Sequence, residues 1–295
     1  MTANGFKLGL IGYPIEHSLS PRLHQAALQS VGLTGEYRLF PIIPGLEGVE
    51  KMTTLVDLLR QQEIHGLNVT IPYKEEITTY LDELTPTARA IGATNTLVCV
   101  DGRAVGDNTD APGFWADLIR LFPHLAEHPA RALILGAGGA ARAVAYALLQ
   151  AGWEISIASR RIEQAKELIH GLSSTLDTNL VRAVHLTSSA IGAWLASSRE
   201  SHPGNTLIVN ATPVGMSPYP NASPWPEGLP MPEAAIVYDL VYNPAETALV
   251  RQARQRGLKA VNGLGMLVEQ AALAFECWTG KRPDRQAMYN AVSNY

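Results

Sequence analysis

A glycine-rich turn between a strand-like run and a helical pattern constrains the fold of this chain more than any other feature. Gly136 permits a tight turn, Gly138 lets the backbone approach a pyrophosphate, and the helix N-terminus offers unpaired N–H groups to its charge. Ala141 replaces the third glycine of the dinucleotide-binding fingerprint and is still small enough for close helix packing. The pattern predicts nucleotide binding, with a purely structural turn as the alternative. The whole run reads Ala132-Leu133-Ile134-Leu135-Gly136-Ala137-Gly138-Gly139-Ala140-Ala141-Arg142.

The strand that follows this turn ends in Ser159-Arg160-Arg161. NAD-binding sites place a carboxylate at about this distance, where it binds the ribose 2′-OH. Guanidinium groups instead match a 2′-phosphate in charge and geometry. The sequence therefore favours NADP over NAD, and the alternative is an exposed arginine pair at the start of the next helix.

Elsewhere, short β-rich apolar runs alternate with helical patterns, which predicts parallel sheets covered by helices on both faces. A helix is predicted to begin at Ser20 as its N-cap, with Pro21 at the first position, and the last helix is predicted over residues 266–278. Seven prolines over residues 213–232 predict a loop. Strands are predicted over residues 7–11, 36–42, 66–71, 131–135, 154–158, 206–211, 235–241 and 258–261, with a hairpin of 94–100 and 103–105 around Asp101-Gly102.

Length and charge narrow the class of protein. A chain of 295 residues, 46% of them hydrophobic, suggests two domains. Its 23 Lys and Arg against 27 Asp and Glu give a net charge of −4, which lacks the basic footprint of a nucleic-acid-binding protein. We therefore expect small polar ligands rather than nucleic acid.

Cysteine usage and hydropathy point to a cytoplasmic protein without a membrane anchor. The two cysteines, Cys99 and Cys277, have no closely spaced partner, which argues against a disulfide framework or a thiolate zinc site. Residues 1–12 resemble neither a secretory signal nor a transit peptide. The most apolar stretch, 132–158, contains Arg142 and four glycines and is better explained as a strand, turn and helix than as a membrane span.

Polar residues follow the predicted strands of the first half of the chain, where open α/β sheets bind their ligands. His17-Ser18-Leu19-Ser20 follows the first strand, and Asn68-Val69-Thr70-Ile71-Pro72-Tyr73-Lys74 ends and follows the third. Hydroxyls, an amide and a lysine suit a small anionic ligand. The alternatives are a capping role for Ser20 and an ordinary surface position for Lys74. His24 is expected to be an ordinary packing residue of the first helix.

Together these pieces resemble the shikimate dehydrogenase family over essentially the whole chain. Further segments carry the resemblance: Leu10-Ile11-Gly12, Asn95, Asn108-Thr109-Asp110 with Gly113, Asn210-Ala211-Thr212-Pro213-Val214-Gly215-Met216, Asp239-Leu240-Val241-Tyr242-Asn243-Pro244, and Asn262-Gly263-Leu264-Gly265-Met266-Leu267-Val268-Glu269-Gln270-Ala271.

The resemblance implies an α/β fold of two domains separated by a cleft. The first, an N-terminal α/β sandwich with a mostly parallel sheet, would bind the substrate; it would span residues 1–110 and be joined by the C-terminal helices, 266–295. The second would be a Rossmann-type NADP-binding domain over residues 111–265. The implied reaction is the reversible reduction of 3-dehydroshikimate to shikimate with NADPH, on the route to chorismate and the aromatic amino acids.

The resemblance also implies roles for individual residues. Lys74 and Asp110 would be the catalytic pair, with Lys74 moving the hydroxyl proton and Asp110 orienting it. The substrate would be bound by Ser18, Ser20, Asn68, Thr70, Lys74, Asn95, Asp110, Tyr242 and Gln270. The cofactor would be bound by Gly136, Ala137, Gly138, Gly139, Ala140, Ser159, Arg160, Arg161, Thr212, Met216 and Gly263.

Two alternatives stay open at this point. One is a quinate/shikimate dehydrogenase that uses NAD or NADP. It stays open because the family often has Asn-Arg-Thr where this chain has Ser159-Arg160-Arg161. The serines expected at the substrate carboxylate favour shikimate over quinate. The other is a noncatalytic nucleotide-binding regulatory protein. The sequence has no zinc-protease, hydrolase or P-loop motif, and no metal is expected. A monomer or a homodimer is expected.

Overall fold

The computed structural model describes residues 5–128, 130–197 and 206–293. Its contacts divide the chain into two compact units. Unit 1 comprises Met1–Gly113 and Leu267–Asn294, and unit 2 is essentially Phe114–Met266. The fold is α/β, as predicted, with one parallel-rich sheet in each unit.

Unit 1 is built on a six-stranded sheet with the strand order β2-β1-β3-β5-β6-β4. Strand β1 pairs in parallel with β2 and β3, β5 runs antiparallel to β3 and β6, and β4 is parallel to β6. The elements are β1 (Phe6–Gly12), α1 (Ser20–Ser30), β2 (Gly35–Pro41), α2 (Leu46–Arg60), β3 (Gly66–Val69), a 3₁₀ helix (Glu76–Tyr80), β4 (Glu83–Leu84), α3 (Pro86–Ile91), β5 (Thr96–Val100), β6 (Arg103–Asp107) and the start of α4 (Asp110–Leu121), which continues into unit 2 from Phe114.

Unit 2 contains a six-stranded, fully parallel sheet with the order β12-β11-β10-β7-β8-β9. This is the doubly wound arrangement, in which the order reverses between β7 and β10. The elements are α5 (His124–Glu127), β7 (Arg131–Leu135), α6 (Gly139–Gln150), β8 (Glu154–Ser159), α7 (Ile162–Leu172), a 3₁₀ helix (Thr178–Leu180), β9 (Val181–His185), α8 (Ser188–Ser197), β10 (Thr206–Asn210), β11 (Ile236–Asp239), α9 (Ala248–Gln255) and β12 (Lys259–Val261).

Two final helices, α10 (Leu264–Thr279) and α11 (Arg285–Asn290), end the described chain, and most of α10 belongs to unit 1. The indole ring of Trp278 lies directly against Gly66 of β3, where a Cβ would overlap it. Its Nε1 donates to the carbonyl oxygen of Leu97 at 2.9 Å. These contacts attach α10 to one face of the sheet. Asn68 lies on the same face, because it is two residues beyond Gly66 in β3.

Each unit buries its own apolar core. In unit 1, one face of the sheet packs Ile11, Leu67 and Leu97 against Met52 and Val56 of α2. In unit 2, a core cluster includes Leu133, Leu135, Ile208, Val237 and Leu249. Full burial of such a side chain contributes about 1.5 to 3 kcal/mol relative to exposure, so each core is a large part of what holds its sheet in place.

Several predicted boundaries were wrong. Strand β2 is shifted one residue towards the N-terminus, and β3 ends at Val69 because a turn follows it, in which the Tyr73 N–H donates to the Thr70 carbonyl oxygen at 3.0 Å. Strands β4 and β9 were not predicted. Ser20 does not cap α1: Leu19 is the N-cap, and the Ser18 hydroxyl instead accepts from the Ser20 N–H at 3.2 Å.

Within the described residues, no helix is both long and apolar enough to cross a membrane.

Candidate active site

The sheet of unit 1 gathers polar residues along one edge. Strands β1 and β3 are parallel, so their carboxyl ends meet there. Strand β5 is antiparallel to both neighbours, so it begins at the edge where β3 and β6 end; Thr96 pairs with Asn68 and with Asp107. The start of α4 follows β6 directly. The topology therefore brings together segments that are far apart in sequence.

Lys74 and Asp110 form a direct ion pair at this edge. The Lys74 Nζ lies 2.6 Å from Asp110 Oδ2, and the two side chains are 18% and 8% exposed. Such a short, charge-assisted contact between partly desolvated groups fixes both atoms in place. The pair is therefore shielded yet still reachable, as a proton-transferring group must be.

Asn95 links this pair to its surroundings. Its Nδ2 donates to Asp110 Oδ1 at 2.9 Å and lies 3.0 Å from Thr109 Oγ1 and 3.4 Å from Gln270 Oε1. Its Oδ1 accepts from the Thr109 N–H at 2.8 Å. Both oxygens of Asp110 therefore have partners, and Gln270 of α10 is brought to the same cluster.

Asn108 sets the start of α4, a role that the sequence reasoning missed. Its Oδ1 accepts from the N–H groups of Asp110 and Ala111 at 3.1 and 3.2 Å, and its Nδ2 donates to the carbonyl oxygen of Ala93. An asparagine in this position satisfies the first free N–H groups of a helix. The capping signal was visible in Asn108-Thr109-Asp110, but the helix itself was not predicted to begin there.

Asn68 extends the cluster towards α1. Its Nδ2 donates to the Asn95 carbonyl oxygen at 3.1 Å and to Thr96 Oγ1 at 3.3 Å, and its Oδ1 accepts from the Tyr37 hydroxyl at 2.8 Å. Tyr37 was not among the predicted site residues, because a tyrosine in a strand carries no motif. The contact connects β2 with β3 across β1.

The remaining predicted ligands of unit 1 follow the strand ends. The hydroxyls of Ser18 and Ser20 lie 3.2 Å apart after β1. Thr70 follows β3, its N–H donating to the Ile11 carbonyl oxygen at 2.9 Å. A Cβ on Gly12 would overlap the Thr70 methyl group, so the glycine makes room for this threonine.

His24 of α1 is fully buried beside these groups. Its ring stacks on that of Tyr37, with centroids 4.4 Å apart and an interplanar angle of 3°. The Trp278 ring lies on it at 5.1 Å. Burial lowers the pKa of His24 to about 3, so the imidazole is neutral at physiological pH. This agrees with the expected packing role.

The glycine turn of unit 2 has the geometry that its sequence predicts. Gly136 has a φ of +112°, and a Cβ there would lie 2.9 Å from the Thr212 methyl group. Gly138 is the N-cap of α6 and has an ordinary φ of −92°. A Cβ on Gly138 would meet nothing within 4 Å. Neither strain nor protein packing therefore requires this glycine, which leaves open space in front of the helix N-terminus.

Ser159, Arg160 and Arg161 connect β8 to α7 at the neighbouring strand end. Ser159 is buried, and its hydroxyl accepts from the Arg161 N–H at 3.2 Å. Both arginines are exposed. The Arg161 Nε donates to Gln164 at 3.0 Å, while Arg160 makes no ion pair with any described residue. The Arg160 guanidinium is therefore available to an anion.

Thr212 is held beside the turn by a buried polar chain. Asn210 Oδ1 accepts from the Thr212 N–H and hydroxyl at 3.0 and 2.7 Å, and its Nδ2 donates to Asp239 at 2.7 Å. Burial raises the pKa of Asp239, whose other oxygen accepts from Thr247. Asn210 and Asp239 are buried supports for the carboxyl ends of β10 and β11.

The last three predicted residues also belong to unit 2. Met216 is 40% exposed in the loop after β10. Gly263 precedes α10, where a Cβ would overlap the Leu240 carbonyl oxygen. Tyr242 is partly buried after β11, and burial raises its pKa. Tyr242 thus belongs to unit 2, whereas the other predicted substrate ligands belong to unit 1.

Comparison with known proteins shows similarity to shikimate dehydrogenases over nearly the whole chain. The model of the shikimate dehydrogenase substrate binding domain matches residues 10–97, and that of the shikimate 5'-dehydrogenase C-terminal domain matches residues 263–292. A shikimate dehydrogenase (NADP(+)) of Shouchella clausii is 42% identical over 288 residues, which cover 97% of each chain.

Solved structures extend the similarity to the whole fold. The shikimate 5-dehydrogenase of Thermus thermophilus, in complex with NADP(H) and shikimate, is 38% identical with a TM-score of 0.81; the match covers 98% of this chain and 99% of that one. The quinate dehydrogenase of Corynebacterium glutamicum, in complex with NAD, is 30% identical with a TM-score of 0.86, covering 99% and 100%. The chain belongs to the shikimate dehydrogenase family.

Proposed function

We propose that this chain catalyses the reversible, NADP-dependent interconversion of shikimate and 3-dehydroshikimate. The observation that carries the proposal is the partly buried Lys74–Asp110 pair at 2.6 Å, set in a hydrogen-bonded cluster at the sheet edge of a member of this family. The shikimate and NADP(H) bound to the Thermus thermophilus relative support the choice of ligands. Unit 1 would bind the substrate and unit 2 the dinucleotide.

The residues of unit 2 fit a dinucleotide. The open space at Gly138 admits a pyrophosphate to the N-terminus of α6, where unpaired N–H groups and the helix dipole favour negative charge. The backbone from Gly136 to Ala140 would bind it. Ser159, Arg160 and Arg161 would bind the 2′-phosphate, and Thr212, Met216 and Gly263 would lie towards the nicotinamide. When bound, NADP⁺ supplies the hydride acceptor for alcohol oxidation.

The substrate would be held by hydrogen bonds. We assign the carboxylate to the paired hydroxyls of Ser18 and Ser20, and the ring hydroxyls to Asn68, Thr70, Asn95, Asp110 and Gln270, with Tyr242 facing the substrate. A site that pairs its own polar groups with substrate hydroxyls discriminates strongly against analogues that lack them. Deoxy analogues should therefore be poor substrates.

Lys74 would move the proton. Oxidation of the secondary alcohol requires the hydroxyl proton to leave as the hydride does, and a positioned base contributes about 10²- to 10⁴-fold. In oxidation the neutral amine of Lys74 would take this proton and become the ammonium that pairs with Asp110, and in reduction that ammonium would return the proton to the oxygen formed from the ketone. Asp110, held by Asn95 and by the start of α4, would keep Lys74 and the hydroxyl in place.

Substitution of Lys74 tests the assignment. We expect Lys74→Ala to lower kcat for shikimate oxidation with NADP⁺ by about 10²- to 10⁴-fold while NADP⁺ still binds. Lys51→Ala, which removes an exposed lysine of α2 in the same unit, is the matched control and should keep full activity. Near-normal turnover by Lys74→Ala would exclude Lys74 as the proton-transferring group.

A quinate/shikimate dehydrogenase of broader specificity is the second candidate, favoured by the similarity to the NAD-bound quinate dehydrogenase. The exposed arginines after β8 and the Ser18–Ser20 pair argue for NADP and shikimate instead. The Lys74–Asp110 pair argues against a noncatalytic regulatory protein.

We also propose that the enzyme works in the cytoplasm as a monomer or homodimer. Both cysteines are free thiols, Cys277 an exposed one, which suits a reducing compartment. Light scattering on the purified protein would give its oligomeric state.

A further inference from the structure

The hydrogen bonds of Asn68 leave it little freedom to meet a ligand. An asparagine side chain has two N–H donors and a carbonyl oxygen that accepts two hydrogen bonds. Both donors of Asn68 are used, by the Asn95 carbonyl oxygen and by Thr96 Oγ1, and one acceptor position of Oδ1 is used by the Tyr37 hydroxyl. Neither ring nitrogen of the neighbouring His24 has a hydrogen-bond partner among the residues that the structure describes, so His24 does not bond to Asn68, and what remains is a single acceptor position on Oδ1.

The Tyr37 side chain, which donates to Asn68, is held in place by aromatic neighbours. Its ring stacks on the buried His24 with nearly parallel planes, and Trp278 supports His24 from another side. Burial raises the pKa of the Tyr37 phenol well above its usual value, with a smaller, opposing effect of the Ser20 side chain. The phenol therefore stays protonated, and it donates to Asn68 Oδ1 at any physiological pH.

We propose that Tyr37 is a positioning residue that fixes Asn68 as a hydrogen-bond acceptor for a substrate hydroxyl that does not react. A group that can only accept cannot bind a ketone oxygen, which has no proton to donate. The carbon that is oxidised carries a hydroxyl in one direction and a ketone in the other. Asn68 therefore faces one of the two ring hydroxyls that remain hydroxyls throughout, and Tyr37 aims the free lone pair at it.

This inference rests on the proposed function. Measurements on three substrates distinguish a failure of the proposed function from a failure of the role of Tyr37. Wild-type enzyme, Tyr37→Phe and Asn68→Ala are compared on shikimate and on its 4-deoxy and 5-deoxy analogues, with NADP⁺ saturating. If the wild type does not oxidise shikimate, the proposed function fails. If it does, the pattern across the analogues tests the role of Tyr37 alone.

Tyr37→Phe keeps the stacked ring and removes only the hydroxyl. We expect KM for shikimate to rise about 3- to 10-fold, as for the loss of one neutral hydrogen bond, with kcat changed by less than about 2-fold. The deoxy analogue that keeps the hydroxyl facing Asn68 should show the same rise in KM. The analogue that lacks this hydroxyl should have the same KM with Tyr37→Phe as with the wild type. Equal losses for all three substrates, or a fall in kcat alone, would overturn the proposal.

A double-mutant cycle gives an independent check. If Tyr37 acts through Asn68, Tyr37→Phe should cost nothing further in the Asn68→Ala background. Additive losses would contradict the proposal. Thermal unfolding shows whether Tyr37→Phe is folded. If it is not folded, the test rests on Asn68→Ala, which should raise KM for shikimate and for one deoxy analogue but not for the analogue that lacks the hydroxyl facing Asn68. An equal rise in KM for all three substrates with Asn68→Ala would refute the acceptor role.

Discussion

At the scale of single residues, the site depends on polar side chains that hydrogen-bond to one another, as Asn95 does to Asp110. Lys74, Asp110 and Asn95 could be named from the sequence because they occur in motifs that the family resemblance covers. Tyr37 could not, since it is an ordinary strand residue, and for His24 the sequence indicated only packing on the first helix. Their importance arises only when β2, β3 and α1 pack together.

The buried His24 should make stability depend on pH. Its pKa is about 3 in the folded protein and 6.5 in the unfolded chain, so between these values only the unfolded state binds a proton. The free energy of unfolding is therefore unaffected by protonation of His24 above pH 6.5. As the pH falls from 6.5 towards 3, it decreases by about 1.4 kcal/mol per pH unit. We expect urea unfolding of His24→Phe to show a shallower loss than wild type between pH 6.5 and 5. Parallel pH profiles for the two proteins would contradict this account.

The exposed Arg160 should determine cofactor preference. Loss of a charge-assisted hydrogen bond to a phosphate costs about 1.5 to 3 kcal/mol, so Arg160→Ala should raise KM for NADP⁺ roughly 10- to 100-fold. KM for NAD⁺, which has no 2′-phosphate, should not change. Arg251→Ala, an exposed arginine of α9, serves as the control. A parallel rise in KM for both cofactors would show that Arg160 does not contact the 2′-phosphate.

At the scale of elements, close contacts set the position of the helices that carry site residues. Gly113 of α4 lies so near α10 that a Cβ would be 2.8 Å from the Gln270 nitrogen and 2.9 Å from its Cβ. The glycine lets Gln270 reach Asn95. The long, regular elements could be predicted from hydrophobic period, whereas the two-residue β4 and the partly exposed β9 could not, because their pairing with neighbours defines them more than their own pattern.

Substitution of Gly113 tests this contact. Gly113→Ala should destabilise the protein by about 1 to 3 kcal/mol through overpacking, and it should raise KM for shikimate by displacing Gln270. Gly192→Ala in α8 is the control, because its Cβ would meet only a Leu229 methyl group at 3.5 Å. That control should be neutral or slightly stabilising. Unchanged stability and KM in Gly113→Ala would show that the helices can separate without consequence.

At the scale of the whole molecule, the sequence predicts the fold class, the sheet of unit 2 and the residues of the site. The doubly wound sheet of unit 2 follows from its regular alternation of strands and helices around the glycine turn. The mixed sheet of unit 1 was only partly predictable, because the antiparallel β5 and the return of α10 depend on long-range pairing. Residues from Ser18 to Gln270 nevertheless belong to one recognisable set of motifs, which is why the site could be proposed before its geometry was known.

The proposed function requires that the chain oxidise shikimate with NADP⁺. Its most direct test is the appearance of reduced nicotinamide absorbance with purified protein, in a matrix of shikimate or quinate with NADP⁺ or NAD⁺. We predict rapid reduction with shikimate and NADP⁺ and much slower reduction in the other three combinations. Comparable rates with NAD⁺ or quinate would instead identify the broader-specificity enzyme, and no reduction in any combination would contradict the account.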